Sequence, residues 1–200
     1  MRVILDAVGH QFAGAAPLFQ NVTATLEGEE IVGVVGPSGS GKSTLLAIIA
    51  GWLKPTAGVV RGAEQARFAW AFQNPIGSAR RTAIDHVVLP LIARGQSREE
   101  AESRASTLLD SFGLGQVGGR PFSALSGGEA QRLMLARATA SSPDIMLVDE
   151  PTAQLDPSSA SSVVDVLGHL ASTGSLVIIA THDPKVRARC TRLVELGAVQ

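Results

Sequence analysis

Two hundred residues, 45% of them apolar, suffice for one globular domain with a buried core. Seventeen basic residues against eighteen acidic ones leave a net charge of -1, which excludes a general attraction to nucleic acid or to anionic membranes. The adjoining Arg80 and Arg81, and the cluster Arg187, Arg189 and Arg192, read as solvated basic faces.

Cys190 is the only cysteine, so an internal disulfide is excluded and a reducing compartment is expected. The opening "MRVILDAVGHQF" lacks the apolar core of a secretory signal. No apolar run approaches the roughly 20 residues of a membrane span, so any membrane attachment is expected to come through a partner.

In chain order, "VILDAV", "NVTATL" and "IVGVVG" read as strands, the last covered on both faces because its apolar run is continuous. "GPSGSGKST" follows, then "LLAIIAGWL", a helix by apolar content, and "WAFQ", a short strand. From about residue 74 to 140 the character is helical. Ser97 and Glu100 form a capping-box signature ahead of an apolar face of Ala101, Ala105, Leu108, Leu109 and Phe112. "EAQRLMLARATA" places Ala130, Leu133, Met134 and Ala138 on one side. Then "DIMLVDE", "SSASSVVDVLGHLAST", "SLVIIATH", "PKVRARC" and "RLVEL" alternate strand and helix. That alternation predicts an α/β fold with a mostly parallel sheet, the helical stretch being an insertion.

Gly36, Pro37, Ser38, Gly39, Ser40, Gly41, Lys42 and Ser43 match the pattern G-x-x-x-x-G-K-[ST] between a strand and a helix. Turned-in backbone N–H groups and a helix N-terminus make an anion nest for a nucleoside triphosphate. Lys42 reaches the outer phosphates, Ser43 ligates Mg²⁺ and Thr44 bonds a nearer phosphate. Asp149 emerges at the end of an apolar strand, where an acid holds Mg²⁺ opposite Ser43. Glu150 follows it, placed to orient and deprotonate a water; a solvated strand-end glutamate is the other reading. His182 ends another strand, where it serves either the γ-phosphate and water or the core. Gln73, ending "WAFQ", can touch metal or water but is unremarkable alone. His10, His86 and His169 have no motif around them.

"LSGGEAQR", Leu125 to Arg132, is a second anion grip: a serine, two glycines and a helix start. Together with "GPSGSGKST", Gln73, "IMLVDEPT", "AQLDP" and "ATHD", in that order, it makes the chain resemble the ATP-binding-cassette (ABC) ATPases over essentially all 200 residues. The resemblance implies one cassette domain spanning 1–200, with a P-loop NTPase (RecA-like) core, an N-terminal antiparallel β region and an inserted helical subdomain at about 74–140. It implies ATP and Mg²⁺ as cofactors, hydrolysis with Glu150, His182, Lys42 and Gln73 as catalytic groups, and Ser43, Gln73 and Asp149 at the metal. It also implies head-to-tail pairing of two cassettes, Ser126, Gly127, Gly128 and Glu129 of one closing over the nucleotide of the other. Asp156 of the D-loop would lie at the centre of that pair. Phe12 stands where an aromatic stacks on adenine, Phe19 being the alternative.

The helical region from Thr82 to Leu114 looks like that of cassettes serving lipoprotein release and macrolide export, and of their cell-division relative. Three features depart from those relatives: the short 58–73 region, Arg80 and Arg81 where proline and leucine are usual, and an end soon after "RLVEL". The expectation is a cytoplasmic ATPase, peripheral to the membrane, paired with a transmembrane permease and with a second cassette, and binding no nucleic acid. A non-transporting regulator of a membrane partner is the alternative; a soluble translation or repair ATPase fits less well.

Overall fold

The computed structural model describes residues 1–153 and 155–197; Gln154 of "AQLDP" and the last three residues lie outside it. Among the described residues, eight strands form two sheets: β1 (Arg2–Gln11), β2 (Pro17–Glu27), β3 (Ile31–Val35), β4 (Ala57–Arg61), β5 (Phe68–Ala71), β6 (Ile145–Asp149), β7 (Leu176–Thr181) and β8 (Arg192–Glu195). The helices are α1 (Lys42–Ile49), α2 (Ala83–Ala93), α3 (Arg98–Ser111), α4 (Gly127–Ala140), α5 (Pro157–Ser172) and α6 (Pro184–Arg187). One sheet is antiparallel in the order β2-β1-β4; the other is parallel in the order β5-β6-β7-β3-β8. An α/β fold with both β regions is thus present as expected.

The parallel strands read as unbroken apolar runs because both of their faces are covered. Successive side chains still divide between two cores. Met146 and Val148 of β6, with Val177 and Ile179 of β7, join the core built by α2, α3, α4 and α5. Ile145 and Leu147, with Leu176, Ile178 and Ala180, join the core shared with α1 and the antiparallel sheet. The three central helices also pack on one another, and α4 lies against β5.

Local chemistry sets the helix starts. Ser97 and Ser126 each accept from the N–H three residues on, and Glu100 and Glu129 return the bond to the serine N–H. Such a cap is worth about 1 kcal/mol. Residues 74–82 are not helical; α2 begins on Thr82, whose side chain accepts from Asp85, and carries Pro90 within it.

Three boundaries differ from the sequence reading. The α1 helix stops at Ile49, short of "GWL", because Gly51 follows in the left-handed region at φ 73. Trp52 instead stacks on Trp70 with centroids 4.6 Å apart, and Trp70 stacks on Phe72 at 5.0 Å. The α5 helix starts earlier than its apolar residues suggest, with Pro157 in its first turn and Asp156 as its N-cap. The strand β5 ends at Ala71, leaving Phe72 and Gln73 on the loop beyond it.

Candidate functional site

At the C-terminal ends of β3, β6 and β7 lies a cleft of about 680 Å³. It is where ligands bind in open α/β sheets. Phe12, Leu18, Ser38, Gly39, Gly41, Lys42, Ser43, Thr44, Gln73, Asp149, Glu150 and His182 line it. Eleven of the predicted residues, from five separate stretches, therefore meet in one place, together with the unforeseen Leu18.

Three loop residues stand behind the lining. The carbonyls of Gly36 and Pro37 each accept from the Lys42 ammonium at 3.0 Å, holding it across its own loop. Ser40 is buried and its N–H donates to Pro37. Gly41 caps α1 at φ 92, and a Cβ there would fall 2.6 Å from Leu18 and 2.8 Å from Phe19. Only glycine fits both the backbone and the space.

Leu18 went unnoticed because it lies ahead of the strand read at "NVTATL". Antiparallel pairing sets His10 opposite Phe19 and so brings Leu18 beside the phosphate loop. Phe12 is half exposed on the cleft wall and meets His10 edge to face at 4.7 Å. Phe19, the alternative aromatic, is 2% exposed and belongs to the core.

Ser43 and Asp149 share the cleft lining, and the Asp149 pKa is raised chiefly by burial, against the opposing influence of Ser43. With Gln73 on the same lining, this is an oxygen-only donor set with one carboxylate. Such a set suits Mg²⁺, which takes few protein ligands and completes its shell with phosphate and water. Among the described residues no group of three His, Cys, Asp or Glu side chains stands poised for another metal.

Glu150 directly follows β6 with φ 47, a left-handed conformation costing a non-glycine residue roughly 1–2 kcal/mol. Its N–H donates to the Ala180 carbonyl of β7, which fixes the turn. Its carboxylate accepts from Nδ1 of His182 at 2.8 Å and from the Thr181 hydroxyl at 3.4 Å. Thr181 in turn accepts from the Asp183 N–H at 3.0 Å. Thr181 was legible only as the residue before a candidate histidine.

The second anion grip stands elsewhere. Ser126, Gly127, Gly128 and Glu129 do not line the cleft. They form the first turn of the 14-residue α4, with Ser126 and Gly127 exposed. Glu129 is occupied: it accepts from the Ser126 N–H at 2.7 Å, which lowers its pKa, and pairs with Arg120 at 3.3 Å. Asp156 is also outside the cleft; it accepts from the N–H groups of Ser158 and Ser159 and is held strongly ionised by those serines.

Comparison with known proteins agrees with the cleft. The sequence profile of the family described as ABC transporter matches residues 19–153. The lipoprotein-releasing system ATP-binding protein LolD 2 of Caulobacter vibrioides is 36% identical over 96% of this chain and 91% of its own. The macrolide export ATP-binding/permease protein MacB of Rhodospirillum rubrum is 36% identical over 88% of this chain, which spans 29% of that larger protein. The dimeric, post-hydrolysis structure of the ATP-binding cassette MJ0796 bound to ADP and Pi superposes with a TM-score of 0.85 and 30% identity, covering 97% of this chain and 94% of that one.

Proposed function

The chain belongs to the ABC transporter family, and from that premise we propose that it hydrolyses ATP as a Mg²⁺-dependent cassette coupled to transport through a separate transmembrane subunit. It would work as a head-to-tail dimer on the cytoplasmic face of the membrane. Residues 1–200 act as one domain, in which the helices between about 74 and 140 form an arm on the RecA-like core. No helix among the described residues is long and apolar enough to cross a membrane, in keeping with a separate membrane subunit.

Each residue has a task that its position supports. Phe12 offers a flat face for stacking a base. The loop from Gly36 to Thr44 holds the phosphates, Lys42 moving from the carbonyls of its own loop to the outer ones. Ser43, Asp149 and Gln73 would hold Mg²⁺, which neutralises the developing phosphate charge when bound. Glu150 takes the proton from water, and His182, anchored through Nδ1, presents its other ring nitrogen to the γ-phosphate.

The separation of the two anion grips carries the dimer reading. A capped, exposed helix start that avoids the chain's own phosphate cleft is useful to another chain's nucleotide. Lys42→Ala and Ser126→Arg chains, each defective alone, test this when mixed. A mixed dimer gathers both lesions in one composite site and leaves the other whole, so ATP-dependent pairing and part of the turnover should return. Mixing that restores neither would exclude head-to-tail pairing.

A further inference from the structure

We propose that Gln131 is a positioning residue that locks the Gln73 loop to the helix carrying Ser126, Gly127 and Gly128. Its place in the fold is specific. It is the fifth residue of α4, 1% exposed, and its Nε2 donates to the Phe72 carbonyl at 3.2 Å across 59 residues of sequence. Phe72 is joined by a peptide bond to Gln73, which lines the nucleotide cleft. One side chain therefore spans from the cleft to the helix whose exposed start is offered to a second chain.

Packing alone does not account for the residue. Its neighbours on α4, Ala130, Leu133, Met134 and Leu135, are buried and apolar. The Gln131 Oε1 is buried and finds no partner among the described residues. An unpaired buried acceptor carries a desolvation penalty, which a methionine of similar length would avoid. What the amide supplies is a directional bond to one backbone carbonyl.

The next residue makes the opposite tie. Arg132 donates from Nη1 to the Ser159 hydroxyl at 2.9 Å, and Ser159 stands in the first turn of α5 under the Asp156 cap. Two successive residues of α4 thus reach the two segments that flank it. A shift of Gln73 toward nucleotide drags Phe72 and, through Gln131, the whole of α4. Without the amide, the loop could engage nucleotide while α4 kept its own position.

This rests on the reading that α4 presents its start to a partner's nucleotide. The test uses the full chain carrying Glu150→Gln, so that ATP-bound pairs persist, with a fluorescent ATP analogue for binding and size-exclusion chromatography for pairing. Gln131→Met should bind the analogue within about twofold of the parent and be at least as heat-stable without nucleotide. Its ATP-dependent pairing should weaken about tenfold, the equivalent of about 1.4 kcal/mol. In otherwise unaltered chains the same substitution should lower kcat with little change in KM. Hydrogen exchange should show ATP protecting residues 72–77 but no longer α4. Gln131→Asn, whose amide is drawn back by one methylene, should behave likewise even if the methionine variant folds poorly. Pairing and α4 protection at parental levels in either folded variant would overturn the proposal. Ser126→Arg run alongside separates the two levels: if it too pairs normally, the head-to-tail reading fails and this proposal with it.

Discussion

The Glu150 carboxylate accepts from Nδ1 of His182 at 2.8 Å, so the two residues at the ends of neighbouring parallel strands act as one unit. Glu150 is mostly buried, while the His182 side chain is 73% exposed toward the cleft. The carboxylate thereby fixes which ring nitrogen is left over, and that one is Nε2.

Glu150→Gln keeps an oxygen to accept from His182 but removes the carboxylate proposed as the base. Phosphate release should slow by about 10²–10⁴, the usual worth of a general base, while nucleotide-dependent pairing persists. Turnover at the parental rate would take the base role away from Glu150.

Much of this site was legible because its residues sit where a strand ends, and an apolar run that stops at a polar residue marks such an end. Asp149, Glu150 and His182 are all of this type. The Glu150–His182 contact was not legible: β6 and β7 are adjacent only because the sheet is ordered β5-β6-β7-β3-β8, and strand order is not written in local pattern. Leu18 escaped for the same reason, since antiparallel register brings it to the phosphate loop. The boundary of α1 was misjudged because Trp52 and Leu53 continue its apolar content; the left-handed Gly51 ahead of them decides the matter. Pro90 within α2 would have argued against a helix there, and tertiary packing overrides it.

Asp144 and Arg67 clamp the starts of β5 and β6 with a two-pronged ion pair, Oδ1 to Nη2 at 2.7 Å and Oδ2 to Nε at 3.1 Å. The Arg67 N–H adds a bond to Oδ2 at 2.9 Å. These contacts, the Arg67 side chain first, lower the Asp144 pKa from 3.8 to about 2. A folded-state pKa below the unfolded one contributes stability above pH 3.8 that is lost as the pH falls through about 2. Solvent screening keeps the contribution modest. Asp144→Asn should lower the urea midpoint at pH 7, and the gap to the parent should close below pH 3.8. A gap independent of pH would mean that the ion pair contributes nothing.

Cys190 lies partly buried behind β3, donating its thiol to the Val186 carbonyl at 3.3 Å. Burial raises its pKa to about 11. Only the thiolate reacts with disulfide reagents, so at pH 8 the native chain should react at least tenfold more slowly than the chain in denaturant, given that three units of pH separate the thiol from its titration. Equal rates would show the thiol to be open to solvent in its ionised form.

His86 organises the loop that carries Arg80 and Arg81. Its Nδ1 bonds the Thr82 carbonyl at 2.8 Å, and its Nε2 accepts from the Ser78 N–H at 3.0 Å. A carbonyl can only accept and an N–H only donate, so the ring is neutral with its proton on Nδ1. Burial, chiefly, and the charges of Arg137 and Arg81 lower its pKa below 6.5, against the opposing pull of Thr82 and Asp85. Because the folded state disfavours the charged ring, its contribution is complete above pH 6.5 and declines as the pH falls toward the folded-state pKa. Protonation would turn Nε2 into a second donor facing the Ser78 N–H and release the loop. The unfolding midpoint should therefore fall between pH 7 and 5 more steeply in the parent than in His86→Phe, a difference that cancels the other three histidines. Ring nitrogen shifts in NMR should report the Nδ1–H tautomer at pH 7. Identical slopes for the two proteins, or an Nε2–H tautomer, would remove His86 from the control of this loop.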